Sequence, residues 1–486
     1  MSVARRIARN AGALALSQGA ALVFNFLTWA YLARTLEPAQ YGVIGFGTAV
    51  LAYFTVAVQL GFDAVVTREA ARDPARLPAL AGQLTALRLL LCAVALAGYV
   101  ALVFALPRPP VFRATLLVLG LQLVVAATRL NWTFQAVEEM RTVAVRDALV
   151  AVLNAAAVFA LVRRPEQVVL AAALTAGVPL VGNGWLWMAY RRRFGRLRLL
   201  FDRAAWAMLI RTGLPLAATA LLIEIYVRLD QVMLEFLYST ETVGLYSAAA
   251  RLTSLAQLPA NVAFGAFFPA IAAVLGSMDL MRERGRMLAR VLLPVGLVIA
   301  AAGPWLARDA IVFVNGAAYA SAGPALGWLL VTSGMIHANM TIGIPLMAWD
   351  LQTPYMWTVL AGAVVNVVLN VFLIPPFGMV GAGAATLAAQ TTVFVLICRL
   401  YRRTTGELPF ASVWPALPVA AAASATAALG VWLGGPILVT GPLVLAVAAA
   451  LAWRLGLLNV SALLAPDLST PDLPSPGLPS PDVLPP

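Results

Sequence analysis

The sequence predicts an all-α polytopic membrane protein with about 14 transmembrane helices. Of its 486 residues, 62% are hydrophobic and 11% are charged, and the mean hydropathy is +0.88. Soluble domains carry about 25% charged residues. Because no water-soluble fold of this length could cover so much apolar surface, the solvent of this chain must be lipid.

The chain contains fourteen apolar segments that are long enough to cross a bilayer, for which a helix needs about 20 residues. Their long continuous runs favour helices over the alternating pattern of a barrel. Arginines precede the first segment, but it is longer than the apolar part of a signal peptide, so we interpret it as span 1. The spans begin near Ala11, Gly42, Leu84, Val111, Val143, Val168, Gly213, Val243, Met287, Pro324, Tyr355, Val380, Ser412 and Pro436.

The distribution of arginine predicts the orientation. All 33 basic residues are arginine; 24 of them flank the spans on the side of the N-terminus, and 6 lie on the other side. Cytoplasmic segments carry such an excess, so we expect an even number of spans with both termini in the cytoplasm. The arginine-only composition, with so much alanine, leucine, valine and glycine, is typical of a GC-rich bacterial genome, and we expect the protein in the bacterial cytoplasmic (inner) membrane. We call the connections after odd-numbered spans the arginine-poor side, and the opposite side the arginine-rich side.

Several functional classes find no support in the residues. The net charge of +12 does not indicate nucleic-acid binding, because the basic residues are scattered between apolar runs. Cys92 and Cys398 both lie inside apolar runs, which leaves no disulfide framework, metal cluster or redox motif. Neither a Walker loop nor a dinucleotide fingerprint occurs. We therefore predict no metal and no cofactor.

Composition and span count divide the chain into four parts. Residues 1–203 form a predicted N-terminal six-helix lobe, and residues 204–405 form a second one after an arginine-rich connector. Residues 406–464 add two transmembrane helices. The proline-rich residues 465–486 predict a disordered tail, and whether that tail binds a partner stays open.

A weak internal repeat relates the two predicted lobes. Residues 36–44 read LEPAQYGVI and residues 238–246 read YSTETVGLY, each a polar turn leading into the next span. Gly42 and Gly244 occupy matching places 202 residues, or six spans, apart. Transporters are often built from such repeats with the substrate path between them. An even number of intervening spans predicts parallel halves related by an axis along the membrane normal.

Six segments together resemble a known family of exporters. They include QLGFDAVVTREAARDP in the first half and NVVLNVFLIPPFGMVGAGAATLAAQ near the end. Up to about Tyr401 the chain resembles the polysaccharide transporter family (O-antigen flippase type) of the multidrug/oligosaccharidyl-lipid/polysaccharide exporter superfamily. The segments are residues 25–50, 59–74, 226–252, 267–271, 315–326 and 366–390.

The resemblance implies a fold and a function. It implies two six-helix lobes around a central cavity, two additional C-terminal helices and transport by alternating access rather than enzyme catalysis. It also implies a polyprenyl-diphosphate-linked oligosaccharide as substrate. Membrane lipids and glycan-assembly proteins are the further partners to consider.

Charged residues within spans 7 and 8 are the main candidates for a substrate site, because a charge at mid-bilayer costs roughly 3 kcal/mol or more. Glu224 and Arg228 are four residues apart and therefore able to pair. Arg251 lies eight residues beyond Val243, about 12 Å along the helix, at a depth similar to that of Arg228. One interpretation is a cationic patch for a diphosphate, since guanidinium groups bind phosphate oxygens bidentately. The other is a structural ion-pair network that includes Asp230.

Four further residues carry weaker predictions. Tyr226 and Asn25 are candidates for sugar contacts, although a packing or interfacial role for Tyr226 and helix–helix hydrogen bonding for Asn25 are the commoner explanations. His337, the one histidine, is a candidate for proton coupling or an ordinary hydrogen-bonded histidine. Arg88 lies about one turn inside span 3, where we expect it to snorkel to the membrane surface.

Two rival functions stay open at this stage. An ion-coupled drug or cation exporter of the same superfamily would favour acidic groups in its cavity, and spans 7 and 8 contain both acidic and basic groups. A membrane glycosyltransferase or polymerase is a more remote alternative. The short predicted loops disfavour it, because such enzymes need room outside the membrane for sugar chemistry.

Overall fold

The computed structural model describes residues 3–457, without the side chains of residues 3–18, 20, 411 and 412. The predicted tail at 465–486 and the end of the 406–464 segment lie outside these residues. Within the described part the chain is helical and contains no β-strand. The prediction of an all-α polytopic membrane protein is confirmed.

All fourteen predicted spans are helical. Eleven stretches are long and apolar enough to cross a membrane; Ala21–Arg72 and Gln352–Thr405 each hold two spans, and the shorter helix Ala416–Trp432 is span 13. The helices, in chain order, are Val3–Gln59 (spans 1 and 2), Phe62–Arg72, Leu77–Ala105 (span 3), Pro110–Leu119, Leu121–Ala127 and Asn131–Ala136 (span 4), Met140–Leu161 (span 5), Val168–Phe194 (span 6), Arg203–Leu237 (span 7), Thr240–Ala256 and Leu258–Ala272 (span 8), Met278–Asn315 (span 9), Gly323–Ala348 (span 10), Gln352–Thr405 (spans 11 and 12), Ala416–Trp432 and Ile437–Arg454 (span 14).

Two helical stretches are each broken at one residue of positive φ. Glu37, with φ 58°, separates span 1 from span 2 and precedes Pro38. Gly378, with φ 56°, separates span 11 from span 12 and follows Pro375 and Pro376. Proline removes a backbone donor and interrupts the helix, and glycine accepts positive φ without steric cost. Span boundaries therefore lie at these residues although almost no loop intervenes.

The described residues form two compact units. The first holds residues up to Leu252 together with Ala307–Trp328 and Ala363–Thr386; the second holds Thr253–Leu306, Leu329–Gly362 and residues from Leu387 onward. In the first unit, Phe62, Trp132 and Leu186 belong to one buried apolar cluster. In the second, spans 9, 13 and 14 meet around Ala302, with the C-terminal pair of helices packed on it. The division into lobes 1–203 and 204–405 stays a prediction.

Arg88 contradicts our expectation of snorkelling. Its side chain is 1% exposed, and its Nη2 donates to Asp63 Oδ1 at 2.9 Å. Arg129 Nη2 donates to the other carboxylate oxygen of Asp63, also at 2.9 Å. A buried arginine that is paired costs far less than an unpaired one, so the side chain turns to Asp63 instead of extending to the membrane surface.

Candidate functional site

Span 7 carries an ion pair within one helical turn. Arg228 Nε donates to Glu224 Oε2 at 2.6 Å, and the two side chains are 32% and 31% exposed. The pairing predicted from their i,i+4 spacing is confirmed. Tyr53 of span 2 lies close enough to interact electrostatically with both residues and with Asp230. With two carboxylates and one guanidinium, this group is acidic in sum.

Asp230 is a buried acceptor next to that pair. It is 6% exposed and accepts hydrogen bonds from the hydroxyl of Tyr246 on span 8 and from the backbone N–H of Gln231, the latter at 2.7 Å. The Tyr246 bond joins spans 7 and 8, and the two bonds together satisfy the carboxylate without a cation in direct contact. This geometry fits the structural role that we weighed for Asp230.

Arg251 has different surroundings. Its guanidinium carbon lies 3.6 Å from the centroid of the Trp29 indole ring on span 1. The ion pairs found among the described side chains do not include Arg251. A guanidinium stacked on an indole keeps its charge and presents its N–H groups along its edges, where they can donate to an anion.

A small cavity adjoins Arg251. Its volume is about 10 Å³, which is space for roughly one water molecule. Tyr41 and Asn315 share its lining with Arg251 and Trp29, and Asn315 Oδ1 is buried without a hydrogen-bond partner in the described part of the chain. Three polar groups from spans 2, 8 and 9 thus converge on one point in the first unit.

Arg228 and Arg251 do not form one patch in this structure. Arg228 is bound to a carboxylate of its own helix, whereas Arg251 packs against an aromatic ring of span 1. The idea that both arginines receive one diphosphate therefore finds unequal support, and Arg251 is the better anion-binding candidate.

The remaining predicted site residues are separated from this centre. Tyr226 is half-buried and Asn25 is exposed. His337 belongs to the second unit; it is fully buried, its Nδ1 lies 2.8 Å from the Ser333 carbonyl oxygen, and its Nε2 has no partner among the described atoms. Its role in coupling stays a prediction.

Sequence reasoning missed the aromatic and amide partners of Arg251. Trp29 and Tyr41 resemble the other aromatic residues of an apolar span, and Asn315 resembles an interfacial residue at a helix end. One signal was available in the sequence. Spans 1 and 2 contain aromatic residues with polar tips, which are suitable partners for the charged side chains inside other spans. No group of three potential metal ligands occurs within residues 3–457.

The fold is that of a polytopic membrane protein with charged residues inside its spans. Residues 7–275, more than half of the chain, match the family described as polysaccharide biosynthesis protein, and the chain belongs to this family. The match confirms the predicted membership in a family of polysaccharide biosynthesis.

Two curated relatives match parts of the chain. A probable flippase, AglR, of Haloferax volcanii is 31% identical over 192 residues, which cover 38% of this chain and 40% of the relative. A putative O-antigen transporter of Escherichia coli is 38% identical over 64 residues, which cover 13% of this chain and 15% of the relative. The chain thus matches less than half of the length of either relative.

Two solved structures share the fold. The lipid II flippase MurJ, in an inward closed conformation, aligns with a TM-score of 0.71 at 10% identity, covering 93% of this chain and 99% of MurJ. An inward-facing multidrug resistance transporter of the MATE family aligns with a TM-score of 0.59 at 16% identity, covering 80% and 96% of the two chains.

Proposed function

We propose that this protein is a flippase that moves a polyprenyl-diphosphate-linked oligosaccharide across the bacterial cytoplasmic membrane by alternating access, without enzyme catalysis. Its family and the flippase and transporter names of its relatives support this class of cargo. The substrate is the lipid-linked sugar, and membrane lipids surround the helices. Glycan-assembly proteins are candidate partners.

The observation that carries the proposal is the state of Arg251. An intramembrane arginine without a carboxylate partner among the described residues carries a charge that an incoming anion can neutralise. A diphosphate supplies that charge with oxygens that accept from the guanidinium edge. Trp29 acts as a positioning residue, because stacking fixes the plane of the guanidinium before the substrate arrives.

The size of the adjoining cavity bears on the mechanism. About 10 Å³ holds one water molecule and excludes a diphosphate. Substrate binding at Arg251 therefore requires a second conformation in which spans 1, 2, 8 and 9 separate around it. Alternating access provides such a conformation, with Tyr41 and Asn315 available to sugar or phosphate oxygens once the cavity widens.

The arginine asymmetry supports an orientation with both termini in the cytoplasm. The test uses sealed cells and a variant in which Cys92 and Cys398 are replaced by alanine. Single cysteines at the exposed positions 192 and 402 should resist an impermeant maleimide, and a cysteine at the exposed position 318 should react. Labelling of position 192 from outside would reverse the orientation.

An ion-coupled drug exporter is the second candidate. The two carboxylates of span 7, Glu224 and Asp230, together with the MATE-like fold, favour it. A cationic drug would bind these carboxylates and would be repelled by Arg251, which has no carboxylate partner among the described residues. The two candidates thus require opposite charges at the binding site.

The deciding experiment is flipping in proteoliposomes. Fluorescent polyprenyl-diphosphate oligosaccharide should cross faster with protein than without it. At substrate concentrations well below saturation, Arg251→Gln should reduce this gain by about ten- to a hundredfold, while the exposed Arg192→Gln keeps it. A polyprenyl-monophosphate sugar tests whether the diphosphate is required. An exporter would instead transport a cationic dye and not the lipid. If Asp230→Asn abolished that transport and Arg251→Gln did not, the protein would be a drug exporter. Release of sugar or lipid products would reveal an enzyme.

A further inference from the structure

The two glycines of the internal repeat contact each other. A Cβ built on Gly42 would lie 2.9 Å from the backbone nitrogen of Gly244, and a Cβ built on Gly244 would lie 2.9 Å from the backbone nitrogen of Gly42. Each would also overlap a carbonyl four residues before the other glycine: Thr240 for Gly42 and Pro38 for Gly244. The contact is reciprocal, as expected on a two-fold axis.

The close approach continues one turn further along both helices. A Cβ on Gly45 would lie 3.3 Å from Cβ of Ser247, and these residues stand three places beyond Gly42 and Gly244 respectively. Ser247 is 4% exposed. Spans 2 and 8 therefore meet backbone to backbone over one helical turn, which small residues permit and larger ones prevent. We call this contact the glycine crossing.

A buried ion pair flanks the glycine crossing. Arg108, in the connection between spans 3 and 4, places Nη2 2.9 Å from Glu235 Oε1 near the end of span 7, and the Glu235 side chain is fully buried. Thr240 Oγ1 donates to the same carboxylate oxygen at 2.8 Å. The pair joins the first predicted half of the chain (residues 1–203) to the second (residues 204–405). It lies at the same end of the helices as the crossing.

A second polar contact joins the repeats beside it. Arg34, at the end of span 1, donates from Nε to the carbonyl of Val314 at 2.7 Å and from Nη2 to the carbonyl of Phe313. These are among the last carbonyls of span 9, which lack helical partners and lie at the negative end of the helix dipole. Tyr319 donates to the carbonyl of Ala33 at 2.9 Å.

We infer that the glycine crossing closes the substrate path toward the arginine-poor side and that it opens during transport. This inference rests on the proposed function, since alternating access requires a seal that opens. Gly42 and Gly244 let spans 2 and 8 approach until their backbones touch, and Arg108–Glu235 and Arg34 fasten the neighbouring helix ends. Opening would break the glycine crossing, the Arg108–Glu235 pair and the hydrogen bonds of Arg34 and Tyr319, and would let water reach Glu235. The seal is thus set by backbone shape and held by charge.

The reciprocal geometry makes the inference testable without substrate. Spin labels at the exposed positions 164 and 318, one in each repeat on the arginine-poor side, report the separation there in a variant lacking Cys92 and Cys398. Wild type should give mainly one population, at the separation that these two positions have in this structure. Gly42→Val and Gly244→Val should each add a longer population of similar size, because both remove the same contact. Gly177→Ala and Gly184→Ala, where a Cβ meets no atom within 4 Å, should not.

Folded glycine variants with the wild-type distance distribution would overturn the inference, as would a large difference between the two. If the valine variants do not fold, the ion pair decides. Arg108→Gln leaves Glu235 buried without its cation and should populate the longer distance, and Arg108→Gln with Glu235→Gln should restore the short one. An unchanged distribution in Arg108→Gln would then refute the seal.

Transport separates this inference from the proposed substrate. A short bifunctional thiol reagent joining Arg108→Cys to Glu235→Cys should stop transport while the labels report the short distance. Continued transport in the cross-linked protein would overturn the seal. If Gly42→Val populates the longer distance but the wild-type protein moves no lipid-linked sugar, the proposed substrate is refuted. The inference about the seal then still holds.

Discussion

Arg228 and Arg251 lie in consecutive spans at similar predicted depth, yet only one of them has a fixed counter-charge. Arg228 donates to Glu224 at 2.6 Å, and Arg251 stacks on Trp29 at 3.6 Å. A carboxylate satisfies a guanidinium permanently and competes with any incoming anion. An aromatic face orients the guanidinium and leaves its charge available. Intramembrane charge by itself therefore does not identify a binding residue; the partner does.

Removing the charge of Arg251 should have the largest effect on binding. A charge-assisted contact to phosphate contributes about 1.5–3 kcal/mol, so Arg251→Gln should weaken binding of a lipid-diphosphate sugar by about ten- to a hundredfold. Thermal stability in detergent should stay near wild type, because no described carboxylate loses its partner. Binding and melting temperature are measured on the same preparation. A large fall in stability with normal binding by the folded fraction would make Arg251 a structural residue.

Removing the aromatic face should have a smaller effect in the same direction. A cation–π contact contributes about 0.5–2 kcal/mol, so Trp29→Leu should weaken the same binding by about 2- to 30-fold. Trp29→Phe retains a π face and should fall between leucine and wild type. The measurement is the affinity for the lipid-diphosphate sugar in wild type and in the phenylalanine and leucine variants. Equal losses for leucine and phenylalanine would point to lost packing volume and against the positioning role.

The Glu224–Arg228 pair should show the smallest effect. Both side chains are about a third exposed, and such pairs contribute about 0.5 kcal/mol. Glu224→Gln, Arg228→Gln and the double variant form a thermodynamic cycle of unfolding stability. We expect a coupling of this size and substrate affinity within a few-fold of wild type. A loss of affinity in Arg228→Gln as great as in Arg251→Gln would restore the two-arginine site.

The fold followed from the sequence because lipid imposes a simple rule: long apolar runs become helices. All fourteen predicted starts fall within or near described helices. What the sequence did not reveal is how few residues separate some spans. Span 1 passes into span 2 at Glu37 and span 11 into span 12 at Gly378, so loop length gave no boundary there.

The site was only partly predictable. The i,i+4 spacing of Glu224 and Arg228 predicted their contact, because both residues lie on one helix. The contact of Arg251 with Trp29 joins spans separated by more than two hundred residues, and no local pattern encodes it. The prediction that Arg88 snorkels was wrong for the same reason, because its partner, Asp63, lies in another helix, the short one after span 2. The sequence shows which charged residues lie inside the membrane spans. Only the tertiary structure shows which groups they contact.

The carboxylate of Asp63 bears on how the chain enters the membrane. Span 3 carries Arg88, and a lone arginine near a helix centre raises the free energy of insertion by roughly 2.5–3.5 kcal/mol. Asp63 precedes Arg88 by 25 residues and is already synthesised when span 3 leaves the ribosome. Arg129 arrives 66 residues after Asp63 and takes its second oxygen. The chain order thus places the partner of Arg88 ahead of span 3, and the second arginine of the cluster, Arg129, follows in span 4.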